Sequence, residues 1–164
     1  MEALTDKFQF GGIKVIIELI KESEIQEVCD MVIRSCKYSD FAKFYPSQYF
    51  YCTYDEIKTK MDNGHFYVVK DNGKIIGCGG IAAYWDRLTE SWIHTIFVAP
   101  EYQRKGVGRK IIEFLENDEY AKRANRIEIH SAMSAIPFYR KLGYEHKDGQ
   151  LIYADGHFDL EKFV

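Results

Sequence analysis

Four cations crowd the start of one glycine-rich segment. In Gln103-Arg104-Lys105-Gly106-Val107-Gly108-Arg109-Lys110, the residues Arg104, Lys105, Arg109 and Lys110 flank two glycines, and no carboxylate follows until Glu113. A helix N-terminus carries partial positive charge and normally attracts Asp or Glu, so cations there repel the dipole and one another. An anion held between them removes the conflict. Exposed amide N–H groups on a glycine-rich turn make such a place a phosphate site. Gly106 and Gly108 let the backbone approach the ligand with no Cβ in the way. A solvated basic patch on a surface helix is the other reading of the same residues.

The segment needs a frame to hold it. At 164 residues the chain is long enough for one domain with a real core, read as a single domain over 1–164 with a loose lead-in at 1–12 that ends in Gly11-Gly12. Hydrophobic content of 46% and charged content of 29% are those of an ordinary soluble globular chain. The formal net charge of −3 argues against a general nucleic-acid binder. A basic cluster on a mildly acidic chain points instead to one small, strongly anionic ligand. Cys29, Cys36, Cys52 and Cys78 form no C-x-x-C pair and read as reduced packing residues. His65, His94, His130, His146 and His157 show no metal-ligand spacing, so no metal is expected. No apolar run reaches membrane-span length and no signal-peptide pattern opens the chain, so the expectation is a cytoplasmic protein that meets no membrane.

The elements follow from periodicity. Ile13 to Ile20 reads as a first strand. Ser23 to Gln26 has the pattern of a capping box, ahead of a helix with Ile25, Val28, Cys29, Val32 and Ile33 on one face. Tyr38 to Tyr54 is crowded with aromatics, either a flap packed on the core or the wall of a ligand pocket. Thr53 to Glu56 opens a short helix that Asn63-Gly64 closes. His65–Lys70 and Lys74–Tyr84 form a hairpin about Asp71-Asn72-Gly73. Gly77, Gly79 and Gly80 in its return strand mark a bulge or a close approach. Ser91–Val98 is a strand, the cationic helix follows, and Arg126–His130 is a further strand. Ser134 opens a helix with Pro137 in its first turn and Gly143 at its end, and two closing strands follow. This order predicts an α+β (mixed α/β) domain: a central mixed, mostly antiparallel twisted sheet flanked by helices.

Two motifs in this frame resemble the GNAT superfamily of acyl-CoA-dependent N-acetyltransferases. Gln103 to Gly108 fits the family's Q/R-x-x-G-x-G/A signature in a strand–turn–helix setting. Ala135-Ile136-Pro137-Phe138-Tyr139-Arg140-Lys141-Leu142-Gly143-Tyr144 is similar to its A-x-x-F-Y-x-x-x-G-F/Y motif. The element order agrees from Ile13 to Phe163. The resemblance implies acetyl-CoA as co-substrate, with its pantetheine laid beside Ile96, Phe97 and Val98 like an added strand. It implies a pyrophosphate cradled by Gln103, Arg104, Lys105, Gly106, Val107, Gly108 and Arg109, with Ser131, Ala135, Phe138 and Tyr139 completing the coenzyme site. Tyr139 matches the family's usual general acid. In place of the Asn that often begins the second motif stands Ala132, flanked by Ser131 and Ser134.

The resemblance further implies an amine acceptor, whose proton must go somewhere. A lysine-like amine with a pKa of ~10.4 is neutral only about one part in a thousand at pH 7.4, a cost of roughly 4 kcal/mol. Trp92, His94, Ile96 and Val98 alternate onto one face of their strand, which makes His94 the first candidate base. Glu90 is the second, acting through water. Cys78 as an acyl-carrying nucleophile pairs with no base in the sequence. The expected function is direct acetyl transfer to a primary amine of a small molecule, peptide or protein. The alternative is a non-catalytic acyl-CoA-binding sensor or regulatory module. A homodimer is compatible with either.

Overall fold

A computed structural model describes residues 5–10, 12–38, 52–85, 87–154 and 156–164. Among these residues nine strands form one sheet: β1 (Asp6–Phe10), β2 (Ile13–Leu19), β3 (Gly64–Asp71), β4 (Lys74–Ala83), β5 (Glu90–Val98), β6 (Arg126–Ser131), β7 (Glu145–His146), β8 (Tyr153–Ala154) and β9 (His157–Phe163). Their spatial order is β1-β2-β3-β4-β5-β6-β9-β7, with β8 also paired to β9. Every pairing is antiparallel except β5 with β6. That parallel pair needs a crossover, supplied by α3 (Val107–Leu115) and α4 (Glu119–Lys122). Helices α1 (Ile25–Tyr38), α2 (Tyr54–Asn63) and α5 (Ile136–Arg140) are the others among the described residues.

Strand alternation sorts the core into two layers. On β3, Tyr67 and Val69 join Val107, Ile111, Ile112 and Leu115 of α3 on one face. Phe66 and Val68 join Ile25, Val28, Cys29 and Val32 of α1 and Ile57 of α2 on the other. Each fully buried aliphatic side chain contributes roughly 1.5–3 kcal/mol, so two covered faces are the main source of stability. The β3–β4 turn has Asn72 at φ 48° and Gly73 at φ 84°. Positive φ at both central residues is the twist that a two-residue hairpin requires.

Four expectations are corrected. Residues 6–10, read as part of a loose lead-in, form edge strand β1 against β2. The cap before α1 is not Ser23: a 3-10 turn over Glu22–Glu24 precedes the helix, and Glu24 accepts from the Lys21 amide at 2.9 Å. Ser134 lies inside a second 3-10 turn, Met133–Ala135, and α5 carries no side-chain cap. The two closing strands are β8 and β9, with a two-residue β7 in place of a long strand from Tyr144. The Thr53 cap forms as expected, accepting from the Glu56 amide at 3.2 Å.

Candidate functional site

The centre of the sheet divides. β5 and β6 pair only from Glu90↔Arg126 to Ile93↔Ile129, although β5 runs on to Val98 and β6 to Ser131. Past Ile93 and Ile129 the two strands separate into a wedge. The cause is local. Thr95 sits at φ 56°, and the β4–β5 register slips between Cys78 and Gly80, which places an extra residue on β5. A β-bulge bends its strand and strengthens its twist. The glycines of β4 accommodate it: a Cβ on Gly79 would lie 2.6 Å from Ile96, and one on Gly80 would lie 2.2 Å from the His94 ring. The β6-side edge of β5 beyond Ile93 has no strand partner among the described residues. An unpaired edge of this kind can take an extended ligand as an added strand.

The cationic turn stands at the end of this edge. A 3-10 turn over Pro100–Tyr102 leads from β5, held by Tyr102, whose hydroxyl donates to Asp71 at 2.7 Å. Arg104 (φ 57°) and Gly106 (φ 86°) then reverse the backbone, and α3 starts with no side-chain cap and no acid in its first turn. Its first amides are therefore left for an outside acceptor. Arg104, Lys105, Arg109 and Lys110 are exposed around it. Lys110 reaches Glu113 at 2.8 Å, and Lys105 lies over the Tyr102 ring at 5.5 Å. Gln103 turns back and donates to the Val98 carbonyl at 3.0 Å, which also accepts from Ser35. That carbonyl is thus occupied, and any ligand contact at Val98 falls to its other atoms.

Both motifs converge here. A Cβ on Gly108 would meet Phe138 at 3.4 Å and Val98 at 3.8 Å. Tyr139 is buried beside Phe138 and Tyr144, and its hydroxyl has no hydrogen bond among the described residues. Burial pushes its pKa up, which keeps the phenol protonated. Ala135 packs against the same core. Ser131 is buried and donates to the Ala132 carbonyl at 2.8 Å, so its hydroxyl is spent locally.

A cavity of about 220 Å³ opens on the opposite face, against α1 and α2. Trp92, His94, Thr95 and Phe97 of β5, His130 of β6, Cys36, Cys52, Glu56 and Lys60 are among its walls. Lys60 donates to Thr95 Oγ1 and to Glu56, both at 2.9 Å, and the Trp92 indole N–H is buried without a partner among the described residues.

The bulge also overturns one expectation. Ile96 and Val98 pack with the α3 layer, whereas His94 lines the cavity on the other face. The run Trp92, His94, Ile96, Val98 therefore does not share a face, because the residue inserted at Thr95 inverts the alternation. Burial first, then the nearby Lys60 ammonium, push the His94 pKa down to about 3. Glu90 lies at the far end of β5, paired with Arg126 and Arg87, and those bonds lower its pKa. The geometry does not bring it to the cavity. Cys78 is fully buried, donates to the Thr95 carbonyl, and is pushed up to about 12 by burial. Most of the aromatic run, residues 39–51, lies outside the described residues; Tyr54 is exposed and donates to Glu22.

His130 is the cavity residue that spacing did not reveal. Its Nε2 is 3.0 Å from Glu128 Oε1, two residues back on the same strand face. Its ring stacks on His157 at 4.0 Å and 10°, and His157 reaches Asp159 at 3.1 Å. His130, His157 and Asp159 bring ligand-type atoms within 4.8 Å of one another. Parallel rings do not aim their in-plane lone pairs at one ion between them, so the trio stands as a stacked imidazole pair beside a carboxylate. The i, i+2 spacing of Glu128 and His130 was the available signal, usable once β6 was known as a strand.

Two curated relatives share part of this sequence. An uncharacterized N-acetyltransferase of Methanocaldococcus jannaschii is 33% identical over 98 residues, 54% of this chain and 42% of the relative. One of Chlorobaculum tepidum is 31% identical over 80 residues, 49% of each. The matched part thus spans about half, or less, of these relatives' length. Among solved structures, the PaiA N-acetyltransferase of Thermoplasma acidophilum, in complex with coenzyme A, has a TM-score of 0.77 at 15% identity, covering 92% of this chain and 99% of that one. The GNAT domain of S. lividans PAT has a TM-score of 0.74 at 14% identity, covering 98% and 97%. Identities this low speak for the fold alone. The model of the acetyltransferase (GNAT) family matches residues 32–144, more than half of the sequence and both motifs, and this chain therefore belongs to the GNAT family.

Proposed function

We propose that the chain transfers an acetyl group from acetyl-CoA to a primary amine by direct attack. The observation that carries this reading is the wedge: an unpaired strand edge that runs from an uncapped, cation-ringed helix N-terminus to a cavity on the opposite face. Phosphates at Arg104 to Arg109 and a pantetheine along Ile96 to Val98 direct the thioester toward Trp92, His94 and His130. The amine nitrogen attacks the carbonyl carbon, the C–S bond breaks, and the thiolate takes the Tyr139 proton. Because a phenol is a weaker acid than a thiol of pKa roughly 8–9, the proton passes as the C–S bond breaks, and a proton from the amine nitrogen restores the phenol. The unpartnered Trp92 N–H and the Lys60–Glu56 pair give the acceptor its polar contacts.

The test is thiol release from acetyl-CoA across a broad amine panel. Tyr139→Phe should lower kcat by about 10²-fold, the usual scale of a general acid, with CoA affinity nearly unchanged. Equal turnover removes Tyr139 from the mechanism. CoA binding with no transfer to any amine favours a sensor or regulatory module instead.

A further inference from the structure

We infer that His130, oriented by Glu128, is the residue that takes the proton of the attacking amine. This rests on the acetyl-transfer reading above and names a residue for a step that reading leaves open.

Three observations carry it. The first is position. His130 follows Ile129, the last β6 residue paired with β5, so it stands where the wedge opens, and it lines the cavity with Trp92, its ring 5.4 Å away. The second is the tautomer. The Glu128 side chain is fully buried and is held by Arg126 at 2.7 Å and Lys147 at 2.9 Å as well as by His130. Burial alone would raise its pKa, but the bonds from His130, Lys147 and Arg126 hold it well below the usual carboxylate range. An ionised carboxylate only accepts, so Nε2 of His130 carries the hydrogen and Nδ1 keeps a lone pair. Nδ1 has no hydrogen-bond partner among the described residues. The third is an exit. His130 is partly exposed and stacks on His157, which contacts Asp159 at the surface of β9.

His94 lacks these features. It is buried, and among the described residues its one hydrogen-bond contact is with Thr95 at 3.2 Å. Before the attack, His130 Nδ1 takes one proton from the alkylammonium. The neutral nitrogen then forms the N–C bond, the C–S bond breaks as the sulfur takes the Tyr139 proton, and the second nitrogen proton restores the Tyr139 phenol. Glu128 acts through His130 and is a positioning residue. Among the described residues, the charged and titratable groups facing His130 are Arg126 and Glu128 on β6, His157, Asp159 and Glu161 on β9, Lys147 from the turn after β7, His94 on β5, and Lys60, Glu56, Cys36 and Cys52 across the cavity.

Acceptor basicity gives the experiment. Alkylamines are protonated at pH 7 and need a base, whereas arylamines are already neutral. His130→Gln keeps a donor for Glu128 but accepts no proton. With acetyl-CoA, kcat/KM for primary alkylamines should fall by about 10²-fold, the general-base scale, and that for arylamines by less than about threefold. The variant's thermal shift with CoA should match that of the unaltered chain. Its alkylamine rate should climb about tenfold per pH unit toward the amine pKa, as the neutral fraction does. If the variant does not fold, the unaltered chain decides: its alkylamine kcat/KM should level off well below the amine pKa. A climb continuing to that pKa, or equal losses for both amine classes, or no loss, overturns the assignment while acetyl transfer stands. A chain that binds CoA and acetylates neither class sinks both.

Discussion

Helices α2 and α3 lie on opposite faces of one sheet and begin in opposite ways. α2 satisfies its own N-terminus: Thr53 caps it, and Asp55 and Glu56 occupy its first turn. α3 begins on Gly106 in the left-handed region, with no cap, no acid, and cations on both sides. The first arrangement is complete within the chain. The second leaves its first amides without a side-chain acceptor, and the proposed function assigns that acceptor to an anion. The residues facing the two helices differ in the same sense. Around α3 the offered groups are exposed amides and mobile cations; around α2 they are half-buried side chains lining a cavity, among them an imidazole that burial keeps neutral.

That neutral imidazole gives the largest expected effect. The folded-state pKa of His94, about 3, lies below the ordinary 6.5. Its contribution is therefore fully present above about pH 6.5 and is lost as pH falls toward about 3, at roughly 1.4 kcal/mol per unit. Denaturant unfolding should show His94→Gln losing about 3 kcal/mol less than the unaltered chain between pH 7 and pH 4. Equal slopes would mean that the cavity face is wetter than its burial indicates. On the α3 face, Gly108→Val should cost at least about 100-fold in CoA affinity by calorimetry, equivalent to roughly 2.7 kcal/mol, because its γ-methyls crowd Phe138, Val98 and the approaching phosphate. Normal binding by that variant would remove the site.

Arg109→Glu sharpens the contrast because it places a carboxylate in the third helical position of α3. The free protein should gain about 0.5 kcal/mol from the dipole while CoA affinity falls about tenfold, and the loss should shrink with added salt. Movement of both quantities in one direction would break the comparison. Thr53→Ala should do the reverse at α2, costing about 1 kcal/mol of stability with CoA affinity unchanged.

The legibility of the two faces differs for the same reason. Gln103 to Gly108 was readable because the start of a helix is local, set by residues adjacent in sequence. The Asn72-Gly73 turn and the Thr53 cap were readable on the same ground. β1 was not: Asp6 to Phe10 is short and half polar, and only its register against β2 makes it a strand. Nor was the environment of His94, since one inserted residue at Thr95 moves it to the other face.

By itself the sequence determined the α+β class, the two motifs and the cluster of cations at one helix start. Those depend on periodicity and on neighbours within one turn. Tertiary structure alone decided that β5 and β6 part after Ile93, that His94 is buried, and that His130 meets Glu128, His157 and Asp159 beside the cavity. These depend on strand register and on the two-residue period of side-chain direction. A single bulge reverses that period, and only the neighbouring strands reveal where the bulge lies.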